Sequence, residues 1–551
     1  MSLQRNKTSS LRLITVASVI LGTADLLLFH QLSSGASFTK FVVVLIILNF
    51  LIWILWAGFI YPHFFSPLRH LPQPKGGWPI IRFGGAGFQR PAGQRFLEFI
   101  ERIPNEGIIR VPGFFNSEAI LLANSEALAE VLVRKSYDYE KPGEVRNFLR
   151  QILGDGLILT EGDEHKFQRK HLLPAFSFRH IKELVPVFWS RSIAMREQII
   201  KEMQETVEPD GQSVVELNHW ANKVTLDIIG VAGLGRDFRA LSNADDPLVK
   251  NYEELLEPTS EKLVYFVCNL IFGRKLVSWM PWRLNERLMA TTGTLREFCL
   301  EFLQQKKEVM KKGSVEQLDI LSLLIKSNCF SDETLIDQLL TFIAAGHETT
   351  SSAFAWAAYL LAKNPEIQTR LREEVRSNLP HTSSQDPTYD LATILDSLPL
   401  LHGVTQEVLR LYPSVPSTIR TTIRETYISN QVIPLGTRIQ IVPWAINRST
   451  TLWGADALVF NPERWIDKDG TINNHGGMMG NNYCNLTFLH GSRSCIGEKF
   501  AKSELKALVA VFVGGFEWEM ADKSEVAVPA GVITTKPKNG MKLRLKELDV
   551  W

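Results

Sequence analysis

The sequence predicts a mainly α protein with small β-sheets, an α+β body carried behind an N-terminal membrane anchor. Three observations lead to this. From Ser125 onward, apolar residues recur at helical spacing over long segments. Between Ile80 and Asn124, short apolar runs such as "GIIRVPGFF" and "EAILLAN" are bounded by breakers, as strands are. Near the N-terminus, the run "FVVVLIILNFLIWILWAGFIY" (41–61) carries no charge at all.

That run is long enough to cross a bilayer, which takes about 20 residues. Trp53, Trp56 and Tyr61 lie toward its far end, as interfacial aromatic residues do. It starts too late and is too long for the apolar region of a cleaved signal peptide. A second apolar segment, 13–29, is broken by Asp25. A charge at the centre of a spanning helix costs about 2.5–3.5 kcal/mol, and Asp25 lies off centre. Arg5, Lys7 and Arg12 precede the segment 13–29, and Arg69, His70 and Lys75 follow the run 41–61. Basic flanks favour the cytoplasmic side, so two spans satisfy both flanks whereas one span sets them in conflict. The charges therefore favour a hairpin of two spans.

"SPLRHLPQPKGGWP", with four prolines and two glycines, follows as a stiff hinge without helix. The expected organisation is anchor 1–61, hinge 62–78 and one large, mostly helical body 79–551. Long helix candidates within the body are Ile193–Glu205, Glu286–Lys312, Asp332–Lys363 and Ile394–Leu411. Strands return at "TYISNQVIPLGTRIQIV", where Gly436 marks a turn, and one helix after Cys495 precedes a terminal β region. "GGAGFQR" is a poor dinucleotide fingerprint, because Arg90 stands where the third glycine belongs.

Composition narrows the function. The 551 residues are 45% hydrophobic and 22% charged, and 60 basic residues balance 59 acidic ones. A nucleic-acid binder would show a basic surplus or basic runs, so no nucleic-acid partner is expected. The five cysteines, Cys268, Cys299, Cys329, Cys484 and Cys495, form no CxxC pair. Neither a zinc site nor a disulfide framework is signalled, and a reducing, cytosol-facing location fits.

Five patterns could carry chemistry. "FLHGSRSCIG" (Phe488–Gly497) sets Cys495 among glycines and an arginine. "FIAAGHETTSS" (Phe342–Ser352) interrupts an apolar helix with Gly346, Glu348 and Thr349. It reads either as a kinked core helix whose hydroxyls bond back one turn, or as a widened groove where Glu348 and Thr349 form a proton path. "EVLRL" puts Glu407 and Arg410 three residues apart, a spacing that usually decorates a surface. "FNPERW" offers Arg464 to a Glu–Arg network, and "EHKFQRK" places His165 and Arg169 on one helix face.

Together these patterns resemble the cytochrome P450 superfamily. Phe488, Gly491, Arg493, Cys495 and Gly497 match its FxxGxRxCxG signature, while "AGHETT", "EVLR" and "FNPERW" match its oxygen-helix, ExxR and PERF-like elements in the same order. The resemblance covers roughly Pro62 to the end and implies the fold of that superfamily. It implies haem b, with Cys495 as axial thiolate ligand to the iron and dioxygen as co-substrate. The helix after Cys495 would favour a thiolate at its N-terminus. Gly497 would let the backbone pass close to the sulfur and Gly491 would permit the turn. The propionates would take Arg493, Arg169, His165 and Arg420, although the superfamily commonly has tryptophan where His165 stands. Glu407, Arg410 and Arg464 would form a structural network. Thr349 would hydrogen-bond dioxygen, Glu348 would help deliver protons and Gly346 would leave room.

The implied activity is a monooxygenase that hydroxylates or otherwise oxidises a lipophilic small molecule. No flavin or iron–sulfur segment is recognised, so electrons are expected from a separate NADPH-dependent reductase. The anchor and a cytosol-facing catalytic domain suit the endoplasmic reticulum membrane. Haem-thiolate isomerases and dehydratases typically lack the acid–threonine pair that Glu348–Thr349 supplies, and a haem-binding sensor would form no NADPH-dependent product. By resemblance the pocket would draw on Phe342, Ile343, Ala345, Val415 and Pro416, with Val532 and Ile533, all apolar. The motif style resembles microsomal enzymes of filamentous fungi, many of which tailor secondary metabolites such as terpenoids or polyketides.

Overall fold

The computed structural model describes residues 38–78, 80–205, 213–242, 282–312, 318–380, 389–479, 481–531 and 533–549, with short pieces between 261 and 280. The segment 13–29 and Val532 lie outside the described residues. Two compact units divide the chain, one comprising 1–89, 93–140 and 417–442, the other 90–92, 141–416 and 443–551.

The first unit joins the apolar helix to a β-rich assembly. Helix α1 (Phe38–Leu55) continues as a wider helical segment, Trp56–Phe65, beyond Tyr61 and through Pro62. The stretch Val43–Phe65 has a mean hydropathy of 2.7 and is apolar and long enough to cross a membrane. Pro62 has no N–H to donate to the turn before it. The Gly58 carbonyl instead accepts from Asn116 Nδ2 at 2.6 Å. Asn116 lies in the tip between strands Ile108–Pro112 and Glu118–Leu122, which pair antiparallel. Arg110 and Glu118 of these strands form a buried ion pair at 2.8 Å. Arg110 also donates to the Pro62 carbonyl at 2.9 Å, and the Ser66 hydroxyl donates to Glu118 at 2.7 Å. Burial raises the Glu118 carboxyl, against the opposing pull of Arg110. The proline-rich stretch after the helix is therefore docked on the sheet, where the Pro72 carbonyl accepts from Arg110 N.

The sheet runs in the spatial order Ile108–Pro112, Glu118–Leu122, Arg438–Ile441, Thr418–Thr422, Tyr139–Glu140. Gly436 turns at φ 81°, while Ser429 and Asn430 turn the neighbouring hairpin Thr426–Ile428 to Gln431–Ile433. Not all of Ile80–Asn124 is β. Residues Gln94–Arg102 form a helix whose Phe96, Leu97, Phe99 and Ile100 are buried on one stripe.

The second unit is mostly helical. Its principal helices are α2 (Gly162–Leu172), α3 (Phe178–Glu205), α4 (Asp332–Lys363), α5 (Pro399–Leu411) and α6 (Glu498–Gly515). Another, Arg283–Lys311, begins three residues before the expected Glu286. Helix α3 starts fifteen residues before Ile193 and passes through Pro186, because Ile181, Leu184, Val185 and Phe188 extend its buried stripe upstream. The expected Ile394–Leu411 helix is two, Leu391–Ser397 and α5. Pro399 disfavours helical backbone at the residue before it, and Leu398 is extended. Helix α4 has the expected bounds and is capped by the Ser331 side chain, which accepts from Thr334 N.

A buried polar network organises this unit. Glu407 and Arg410 of α5 have fully buried side chains and form two hydrogen bonds, at 2.8 and 2.7 Å. Arg410 also donates to the carbonyls of Asn447 (2.6 Å) and Ala457 (2.7 Å). Glu407 accepts further from Arg464 Nε and Trp465 Nε1.

Two outcomes are expected. Removing one partner of a buried, hydrogen-bonded ion pair costs about 3–5 kcal/mol, so Arg410→Ala should yield little folded protein on expression. Glu118→Ala should strip Arg110 of its partner and loosen the proline-rich stretch from the sheet. Limited proteolysis of membranes should then cut within 66–79 in the variant and spare the wild type.

Candidate active site

Cys495 lies between the short turn Gly491–Arg493 and α6. Its N–H donates to the Phe488 carbonyl at 2.8 Å, and Gly491 turns the loop at φ 73°, where a side chain would be strained. A Cβ on Gly497 would stand 3.9 Å from Cys495 Sγ, so bare backbone flanks the sulfur. Burial pushes the thiol up to about 11, against the Gly497 N–H and the Arg169 charge, which favour thiolate. Cys495 is nonetheless accessible by surface area. The two observations agree if the sulfur faces a narrow recess rather than bulk water. Cys484, by contrast, is fully buried and is raised to about 11 by burial alone.

The loop is held from α2. Arg169 donates to the Ser494 carbonyl at 2.7 Å and to its hydroxyl at 3.0 Å. The preceding residue, Gln168, accepts from Gln338 Nε2 of α4 at 2.8 Å. One turn of α2 thus joins the cysteine loop to the helix that carries Glu348 and Thr349. His165 is buried on the same helix. Arg493 is ion-paired with Glu161, both side chains buried, and Glu161 also accepts from Lys141 N at 2.9 Å. Phe488 lies under Lys502, whose Nζ is 5.3 Å from the ring centre. Arg420 belongs to the β-rich unit, where it is buried and donates to Thr418 Oγ1 and the Ile419 carbonyl, both at 2.9 Å.

Helix α4 is buried from Leu335 to Ile343 and again from Thr350 to Leu361. Between them it opens: Ala345 is exposed, and Ala344, Gly346, Glu348 and Thr349 are half-buried. Ile343 lies two residues from Ala345, about 200° around the helix. Its side chain is fully buried in the core. Phe342 is buried as well, its ring edge-on to Phe176 at 5.5 Å. Gly346 lies in the opened turn. A Cβ there would come within 2.9 Å of Ile229 Cδ1, so the glycine makes room for a packed neighbour.

The Thr349 hydroxyl donates back to the Ala345 carbonyl at 2.7 Å. Glu348 is paired with Lys536 at 3.1 Å. His347, between these and the core, is buried and pushed down to about 3, first by burial and then by the Lys536 charge. Val415 is half-buried, Pro416 buried and Ile533 exposed. Lys536, Glu161, Ser494 and the Gln168–Gln338 bond escape sequence reasoning, because each meets its partner only across long separations in the chain.

The donor set can be tested against haem. Among the described residues no three metal-ligating side chains gather, and the cysteines are unbridged. A metal at Cys495 would take one protein ligand, as an iron whose equatorial ligands come from its own macrocycle does. Arg169 and Arg493 lie next to that ligand, where cations would suit two carboxylates. The residues fit the group.

Comparison with known proteins identifies the family. The cytochrome P450 family model matches residues 76–543. The cytochrome P450 monooxygenase sphH of Aspergillus fumigatus is 38% identical over 503 residues, covering 90% of this chain and 92% of its own length. The cytochrome P450 monooxygenase ptmK of Penicillium ochrochloron is 37% identical, covering 90% of this chain and 97% of itself. The cytochrome P450 monooxygenase FUM15 of Gibberella moniliformis is 37% identical, covering 90% and 91%. At this identity and coverage, the chain belongs to the cytochrome P450 family and is a monooxygenase of it.

Proposed function

We propose that this monooxygenase is held in the endoplasmic reticulum membrane by its N-terminal apolar segments, faces the cytosol, and oxidises a lipophilic secondary metabolite such as a terpenoid or polyketide. Electrons come from NADPH through a separate flavoprotein reductase. The observation that carries the site reading is the pairing of an accessible, loop-held Cys495 with the one opening in α4, joined through Arg169 and Gln168.

Haem b would be held by Cys495 through its iron and by Arg493, Arg169 and His165 through its propionates, with Phe488, Gly491 and Gly497 shaping the loop. When bound, thiolate-ligated haem supplies dioxygen activation, since sulfur donation favours O–O cleavage. The chain's part is to place protons and to keep water out. Thr349 can rotate its hydroxyl from the Ala345 carbonyl toward dioxygen at small cost, because the group is half-buried and holds one hydrogen bond there. Glu348, one residue earlier, would carry protons inward from solvent. Ala345, Val415 and Ile533 offer an apolar surface with few polar handles, which suits a neutral substrate and excludes water. Glu407, Arg410 and Arg464 serve by holding the fold on which the cysteine loop rests. The metabolite that accumulates when the gene is deleted identifies the substrate.

The decisive spectrum is that of the reduced protein with carbon monoxide. Wild type and Cys484→Ala should show the red-shifted Soret band of thiolate-ligated haem, and Cys495→Ala should lose it; a retained band in Cys495→Ala would overturn the ligand assignment. Thr349→Ala should still load haem and bind substrate, yet release peroxide in place of product. Positioned proton transfer contributes about 10²–10⁴-fold, so product formed per NADPH should fall at least about tenfold.

A further inference from the structure

The C-terminal turn of the second unit is stapled along α4. The Thr535 carbonyl accepts from the Ser352 hydroxyl and from Trp356 Nε1, the latter at 3.0 Å. Thr535 N donates to the Ser414 carbonyl at 2.8 Å and its hydroxyl to the Pro413 carbonyl at 3.1 Å. Ser414 in turn donates its hydroxyl to the Thr349 carbonyl at 2.8 Å. Gly531 turns the segment at φ 124°, and Lys536 pairs with Ala530 across it. The backbone at Lys536 is thereby fixed against the turn of helix that carries Glu348 and Thr349.

From that fixed base, the Lys536 ammonium lies 3.1 Å from Glu348 Oε1, the two side chains only 17% and 12% exposed. Without that partner the Glu348 side chain would be free to swing outward. The adjoining His347 is buried and held neutral, so it offers the carboxylate no second cation. We propose that Lys536 is a positioning residue, holding Glu348 in one orientation beside Thr349. The proposal rests on the reading of Glu348 as the proton carrier. It adds to the site a residue from the far end of the chain that binds neither haem nor dioxygen.

Three variants test it: Lys536→Met, which keeps the stem and removes the charge, Lys536→Arg, and Glu348→Gln. The first readout is thermal stability without turnover. The losses in Glu348→Gln and Lys536→Met should be non-additive in the double variant, as for residues in contact. The second uses the metabolite that accumulates on gene deletion, with reductase and NADPH. Lys536→Met should load haem normally, but its product per NADPH should fall about tenfold with matching peroxide, since misplacing a catalytic group by about 1 Å costs up to roughly 10²-fold. The solvent isotope effect should rise in the same variant, and Lys536→Arg should restore both values. Should Lys536→Met load haem poorly, Lys536→Gln carries the same comparison. Full coupling in Lys536→Met beside poor coupling in Glu348→Gln overturns the positioning role alone. Full coupling in Glu348→Gln overturns the proton-carrier reading and this proposal with it.

Discussion

The buried guanidinium of Arg410 is the constraint on which the helical unit depends. A charge without water must find all its partners in the protein, and Arg410 finds them in a carboxylate and main-chain carbonyls. Meeting that demand draws the 447–459 segment onto α5. Asn447 then passes the order onward: its Oδ1 accepts from Leu486 N and its Nδ2 donates to Thr487 Oγ1. The Thr487 hydroxyl donates to the Leu409 carbonyl, back on α5. Phe488 follows directly, and its carbonyl receives the N–H of Cys495. A chain of satisfied donors thus runs from one buried arginine to the cysteine. The arginine positions the cysteine without touching it.

Helix α4 answers two opposed requirements. As the longest described helix, it must bury apolar surface along nearly its whole length, and Trp356, Phe354 and Leu339 show that it does. Under the proposed function it must also leave one turn open enough to pass protons. The chain resolves the conflict locally, with a small residue at 345 and polar residues at 348 and 349, the first tied by Lys536 and the second by its own helix. The Thr349 hydroxyl is bonded back to its own helix, and the half-buried Glu348 stands beside it. A hydroxyl parked on a helix carbonyl costs the fold nothing and remains available for another partner.

The membrane end follows a similar logic of donors and acceptors. A proline inside an apolar helix removes a donor, and the protein uses the disturbed turn as an attachment point. Asn116 and Arg110 donate to carbonyls of that segment, while Glu118 neutralises Arg110 below it. The stretch that looks in sequence like a free hinge is consequently anchored at both edges. Its prolines forbid helix, as composition requires, but extended backbone can still hydrogen-bond to a sheet, and Pro72 does.

Much of this was legible in one dimension because it depends on local chemistry. The charge-free run at 41–61, the bounds of α4, the glycines around Cys495 and the ordered motifs each state their own requirement within a few residues. Spacing alone could also suggest Glu407 with Arg410, but a separation of three is as common on wet surfaces, and only burial distinguishes the two. Elsewhere packing overrode the local signal. Pro186 sits inside α3 because a buried stripe outweighs it, whereas Pro399 splits a helix where the preceding residue had to extend. The turn at 345 faces outward and Ile343 inward, a difference of rotation that composition does not record. Which cation meets Glu348, which carboxylate meets Arg493 and which serine meets Arg169 were decided only by tertiary structure. Those pairs join segments far apart in the chain, and a lysine or serine carries no mark in sequence of the partner that folding brings to it.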